Sequence, residues 1–239
     1  MPELATLVEP AQVIDPSLAS CDSQQERLAA IHGALADSVA DAVNRGDRPV
    51  SIAGDCCTTI GVAAGLQRSG ISTTLIWFDA HGDFNTCETT PSGFVGGMPL
   101  AMLVGLGNQS MLNAVGLQPI LAEQVILTDG RDLDPGEREL VKGSGILHLP
   151  DMGMLLGAEP PDGPLWIHFD TDILDPVEAP AMNYPASGGP RVKQLEAVFR
   201  RLAGTGRVAA VSMSTWNPQL DEDGRTETTC MALLQTLLG

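Results

Sequence analysis

Positive charge is scarce in this chain of 239 residues: lysine and arginine number 13 against 30 aspartates and glutamates, a formal charge of −17. A surface of that sign repels phosphate backbones and anionic headgroups, which argues against a nucleic-acid or membrane partner. It favours cations or a cationic small molecule, although most of these carboxylates need do no more than solvate the exterior. Long apolar runs are also missing. None approaches the ~18 residues that cross a bilayer, and the opening MPELATLVEP lacks the basic and then apolar stretches of a secretory signal. A cytoplasmic protein is expected. The five cysteines (Cys21, Cys56, Cys57, Cys87 and Cys230) are odd in number and contain no CxxC pair, so a disulfide framework is not expected. Most of them read as small buried apolar groups. Internal repeats and low-complexity linkers are absent too. The length suits one large domain or two small ones, and with 44% apolar residues a single domain over residues 1–239 with a sizeable core is expected.

What the chain does contain is an alternation of short β-branched runs with helical stretches, the pattern of an α/β fold around a parallel sheet. Strands are expected at 49–54, 73–80, 124–130, 165–172 and 207–215. Helices are expected at 24–45, from Thr58 to Gly70, at 97–106, over RVKQLEAVFRRLAG and over the closing TTCMALLQTLL. Several strands run into a polar cluster at their C-terminal end: GDCC, DAHGD, DTD and STWNP. In open α/β sheets ligands bind in the crevice outside those ends. Four clusters at one edge of one sheet point to one site.

The clusters carry specific donors. Asp79, His81 and Asp83 alternate along DAHGD, and Asp170 and Asp172 along DTD. Alternate residues of an extended segment face the same way, so each set can converge. Four carboxylates around one pocket repel one another unless cations neutralise them. Two divalent ions would do so. Mixed carboxylate and imidazole donors suit Mn²⁺, with Fe²⁺, Co²⁺ or Zn²⁺ as other candidates. Taken singly, a DxD pair is commonly a solvated loop and a strand-end histidine a hydrogen-bonded core residue. The combination after two apolar strands is harder to explain that way.

These segments, AGDCC, WFDAHGDFNT, SGFVGGMP, HFDTDILDP and WNPQLD, resemble in order the motifs of the ureohydrolases, the arginase and agmatinase superfamily. The resemblance implies a three-layer α/β/α fold, a two-manganese centre and hydrolysis of guanidine-type C–N bonds in a small molecule. It implies metal ligation by Asp79, His81, Asp83, Asp170 and Asp172, with Asp79 and Asp170 bridging. A homo-oligomer is implied as well. Asp83 would take a proton from metal-activated water and pass it to the leaving amine.

Three positions depart from the family pattern. Cys56 stands where a histidine ligand is usual. As a thiolate it can ligate, but it is soft and Mn²⁺ prefers oxygen and nitrogen; otherwise it is a small buried residue beside an incomplete site. Gly96 replaces a histidine and Thr215 a guanidinium-gripping glutamate. Loss of that carboxylate removes a charge-assisted hydrogen bond of ~1.5–3 kcal/mol and argues against plain arginine. Asn85 and Ser92 match positions that hold the amino-acid end of the substrate, and are also ordinary turn residues. The Cys-for-His exchange is similar to the N-hydroxyarginine amidinohydrolase branch. His168, two residues before Asp170, reads as a neighbour that tunes the metal site, as an acid/base in place of the missing histidine, or as a core histidine. Two rival functions stay open: an arginase-fold protein that binds metal without turnover, and a metal-dependent amide deacylase.

Overall fold

The computed structural model describes residues 12–16, 18 and 23–239; Cys21 and the opening MPELATLVEP lie outside them. The first helix, α1 (Gln24–Asn44), starts where Ser23 and Glu26 cap each other reciprocally, Ser23 N–H to Glu26 and Glu26 N–H to Ser23 Oγ. It ends before Gly46, whose positive φ turns the chain back. Then follow β1 (Val50–Ile52), a 3₁₀ turn at Cys56–Thr58, α2 (Thr59–Arg68), β2 (Thr74–Asp79), α3 (Pro99–Leu103), α4 (Ser110–Ala114) and β3 (Val125–Asp129). The chain continues through α5 (Pro135–Gly143), β4 (Leu147–Leu149), α6 (Met154–Gly157), β5 (Leu165–Asp170), a 3₁₀ turn at Thr171–Ile173, α7 (Val192–Ala203), β6 (Val208–Ser214) and α8 (Arg225–Leu238).

The strands form one parallel sheet in the order β1-β6-β5-β2-β3-β4. Alternation along each strand sends successive side chains to opposite faces. Ile76 and Phe78 of β2, with Ile167 and Phe169 of β5, pack on α7 and α8, where Leu195, Phe199 and Leu234 are buried. Leu75 and Trp77, with Trp166, pack on α1, α2 and α3 through Val39, Ile60 and Leu100. A sheet covered on both faces is why its strands read as continuous apolar runs. The result is the expected α/β/α sandwich. Phe199 meets Phe78 and Phe169 edge-on at 5.1 and 5.3 Å, a geometry worth ~0.5–1.5 kcal/mol per pair beyond burial. On the other face α1 and α2 approach so closely that a Cβ on Gly65 would lie 2.5 Å from Val39 Cβ.

The strands expected from the sequence are present, shortened by a residue or two at their ends. Four elements were not foreseen: α4, β4, α5 and α6. The short ones, α4, β4 and α6, run three to five residues, too few to display an apolar period, and α5 is dominated by charge. The last helix begins at Arg225, ahead of the expected TTCMALLQTLL. Asp221 accepts the N–H groups of Thr226 and Glu227 from outside the helix, a cap that no local Ser or Thr announces. Cys56, Cys57 and Cys230 are buried as expected, whereas Cys87 is exposed. Among the described residues, no helix is long and apolar enough to cross a membrane.

Candidate metal centre

The loop after β2 leads to β3 on one side of the sheet, and the loop after β5 leads to β6 on the other. The crevice of an open sheet forms at such a reversal. A cavity of about 600 Å³ opens there, lined by Cys56, Asp79, His81, Asp83, Asp170 and Asp172 among others. Strand register brings the donors together. Asp170 lies opposite Ser214 and His168 opposite Ser212 on β6, while Trp77 lies opposite His168 on β2.

Two groups of donors form. In the inner one, single ligand atoms of Cys56, Asp79, His168 and Asp170 all lie within 4.8 Å of one another, and all four residues are buried. Cys56 Sγ–H donates to Asp170 Oδ2 at 2.8 Å, which also accepts from Ser214 Oγ at 3.1 Å. The other oxygen, Asp170 Oδ1, takes the Asp172 N–H at 2.9 Å and the Thr215 hydroxyl. The outer group is Asp79, His81 and Asp172. His81 Nδ1 sits 3.0 Å from Asp172 Oδ2 and 3.4 Å from Asp79 Oδ1. Asp79 belongs to both groups. Asp170, expected to bridge as well, belongs only to the inner one.

The electrostatics are severe. Burial, then Asp79 and Asp170, pushes the carboxyl of Asp83 well up, and burial with Asp172 and Asp79 does the same to Asp170. Asp172 is pushed up to about 6, by burial and then Asp79. Burial also raises the Cys56 thiol, with Asp170, Asp83 and Asp79 adding to it. Burial opposes a charge on His81, but Asp172 and Asp79 outweigh it and carry the imidazole up to about 12. That imidazolium in turn holds Asp79 below its usual value against the effect of burial. His168 goes the other way: burial drops it to about 3, so its ring is neutral.

Four buried carboxylates thus face one imidazolium, and no lysine or arginine lines the cavity among the described residues. One oxygen, Asp83 Oδ2, is buried without any hydrogen-bond partner. An oxygen in that state costs ~1–3 kcal/mol, more if charged. Cations are what such a donor set lacks, and mixed O, N and S donors fit divalent transition metals.

The remaining sequence candidates are spread around this core. Asn85 is buried on the wall, where its amide donates to Asp134 Oδ2 at 2.9 Å and its carbonyl accepts from Thr89 Oγ1 at 3.0 Å. Ser92 is on the exposed mouth, its Oγ accepting the Phe94 N–H. Thr215 lines the cavity with a left-handed backbone, φ 67°. Asp83 lies on the cavity wall outside both close groups. Where Gly96 stands, a Cβ would meet the Phe94 ring at 2.4 Å, so Phe94 fills the room a larger residue would need. Asp55 organises its loop by accepting the Cys57 N–H. Sequence reasoning missed Asp132, Asp134 and Glu137, which also line the cavity. They follow β3 in DGRDLDPGE, so the strand-end rule applied to that strand would have found them. Tyr184, facing Phe94 across 5.2 Å, was foreseen only as part of a turn-rich mouth segment.

Fold and rim together define a class: parallel α/β proteins with an acidic, transition-metal type of crevice at the switch point. The family model of the arginase family matches residues 4–239, and the chain belongs to that family. Its relatives include the arginase of Bacillus subtilis, 35% identical over 86% of this chain and 73% of the relative. They also include the N(omega)-hydroxy-L-arginine amidinohydrolase of Streptomyces lavendulae, 32% identical over 83% and 70%. The crystal structure of arginase from Bacillus caldovelox superposes with a TM-score of 0.83 at 30% identity, covering 97% of this chain and 82% of that one.

Proposed function

We propose that this chain is a metal-dependent hydrolase that cleaves a C–N bond in a guanidino, hydroxyguanidino or amidino compound. The observation that carries the reading is the pair of donor groups sharing Asp79, at a cavity that no lysine or arginine lines among the described residues. Asp79, His81, Asp170 and Asp172 would hold the cations, with Cys56 beside them and Mn²⁺ the first candidate. Bound there, the cations would lower the pKa of a water from 15.7 toward ~7 and so supply a nucleophile at neutral pH.

The protein's own groups do the rest. The acidic walls draw in a cationic substrate and stabilise its charge. Asp83 presents an unpartnered, buried oxygen; it accepts the proton released in the attack and returns it to the departing nitrogen. Asn85, Ser92 and Thr215 line the cavity where they can contact the rest of the substrate. His168, neutral and fully buried, is at the inner face rather than at the mouth. We further propose a single domain over residues 1–239 that assembles as a homo-oligomer in the cytoplasm.

The test is urea or hydroxyurea release by Mn²⁺-loaded protein from arginine, N-hydroxyarginine and other guanidino and amidino compounds, with acyl amines alongside. Turnover of at least one guanidino-type compound is expected. Asp83→Asn should lower kcat by ~10²–10⁴-fold. Metal retention with no turnover anywhere would leave a metal-binding protein, and turnover of acyl amines alone a deacylase.

A further inference from the structure

We infer that His168 and Cys56 are joint donors of the inner group, so that this position is an S, N, O, O site selecting zinc, cobalt or ferrous iron over manganese, while the outer group takes the harder ion. This rests on the metal-dependent reading above and specifies the metals. Four observations support it.

The first is proximity. A sulfur, an imidazole nitrogen and two carboxylate oxygens lie mutually within 4.8 Å in a fully buried setting. Such a four-donor set is the tetrahedral type that zinc favours. The second is how His168 is held. Its Nδ1 is 2.9 Å from Ser212 Oγ, and Ser212 Oγ also accepts the Trp166 indole N–H at 2.9 Å. One ring nitrogen is therefore anchored to an oxygen away from the rim, the arrangement that orients ligating imidazoles. Trp77 fixes the ring plane, its centroid 3.9 Å away. The other nitrogen, Nε2, has only Ser214 Oγ at 3.4 Å, longer than an ordinary hydrogen bond. That same hydroxyl touches Cys56 Sγ at 3.0 Å and Asp170 Oδ2 at 3.1 Å, so Nε2 faces the group.

The third observation is Asp83 Oδ2, nine-tenths buried and without a partner next to these donors. A cation held by these donors would give that oxygen a partner. The fourth is the contrast with the outer group. Asp79, His81 and Asp172 offer two oxygens and one nitrogen without sulfur, and His81 is 28% exposed. Thiolate and imidazole favour the softer ions, carboxylate and water the harder ones. One shared carboxylate, Asp79, would then join two unlike metals.

The experiment uses the full chain, stripped with a chelator and reloaded. With one equivalent of zinc, X-ray absorption at the metal edge should show one sulfur and one imidazole in the same shell. With cobalt, a near-ultraviolet thiolate charge-transfer band should appear. Cys56→Ser should abolish the band while manganese still binds the outer group. His168→Gln should weaken zinc at least ~10-fold and leave manganese affinity within about twofold. Cys56→His should raise manganese uptake by one equivalent. A zinc shell without sulfur, or without imidazole, overturns the inference, and that measurement needs no variant. It would leave manganese-supported turnover of guanidino compounds untouched. Conversely, a sulfur-and-imidazole shell in a protein that hydrolyses no guanidino compound would uphold this inference and sink the hydrolase reading.

Discussion

Glu137 braces the turn that carries Asp83, and replacing it with glutamine measures that brace. Its side chain is 2% exposed. Oε1 accepts the Phe84 N–H at 2.8 Å and Oε2 the Asp134 N–H at 3.0 Å, tying the start of α5 to the residue after Asp83. Gly82 is required there, because a Cβ would lie 2.5 Å from Glu137 Oε1. Glutamine has one carbonyl oxygen for two buried N–H groups. One of them loses its acceptor, at ~1–3 kcal/mol. Ionisation adds a pH signature. Burial pushes the Glu137 carboxyl from an ordinary 4.5 up to about 7, against the opposing pull of the Phe84 and Asp134 N–H groups. A folded pKa above the unfolded one means the contribution is full below about 4.5 and is lost as pH rises through about 7. At 1.36 kcal/mol per pKa unit that loss is on the order of 3 kcal/mol. Urea unfolding of both proteins, metal-free, between pH 4.5 and 8 checks this. The advantage of wild type over Glu137→Gln should shrink by that amount as pH rises. A difference that is flat with pH, or that grows, refutes the reasoning.

Gly65→Ala should destabilise the fold by ~1–3 kcal/mol, because the new methyl meets Val39 Cβ at 2.5 Å and the Ala36 carbonyl at 2.6 Å; a thermal melt unchanged from wild type would show that α1 and α2 separate freely. Thr215→Val keeps the shape but removes the hydroxyl from Asp170 Oδ1. It should weaken divalent-metal binding by ~10–100-fold, and calorimetric titration with an unchanged Kd would contradict that. Adding Mn²⁺ to stripped protein should raise unfolding stability by ~2.7 kcal/mol at one hundred times Kd, and a midpoint insensitive to metal would count against cations at the crevice.

Much of the layout was present in the residues themselves. Short continuous apolar runs rich in β-branched and aromatic residues, such as TLIWF and LWIHF, read as strands buried on both faces, which calls for helices above and below. Polar clusters beginning where those runs stop then have to share one edge, because all strands of a parallel sheet point the same way. So Asp79, His81, Asp170 and Asp172 could be assembled on paper. Strand order was not available, since it depends on which crossovers fit, and it alone puts β2 beside β5. That adjacency sets Trp77 against His168, while the β1-β6-β5 order brings Cys56, on the loop after β1 and more than a hundred residues from Asp170 in sequence, into hydrogen-bond contact with it. The orphaned oxygen of Asp83 and the anchoring of His168 by Ser212 are likewise products of three-dimensional packing. Local pattern determines which atoms can bind a cation; only the folded sheet decides which of them meet.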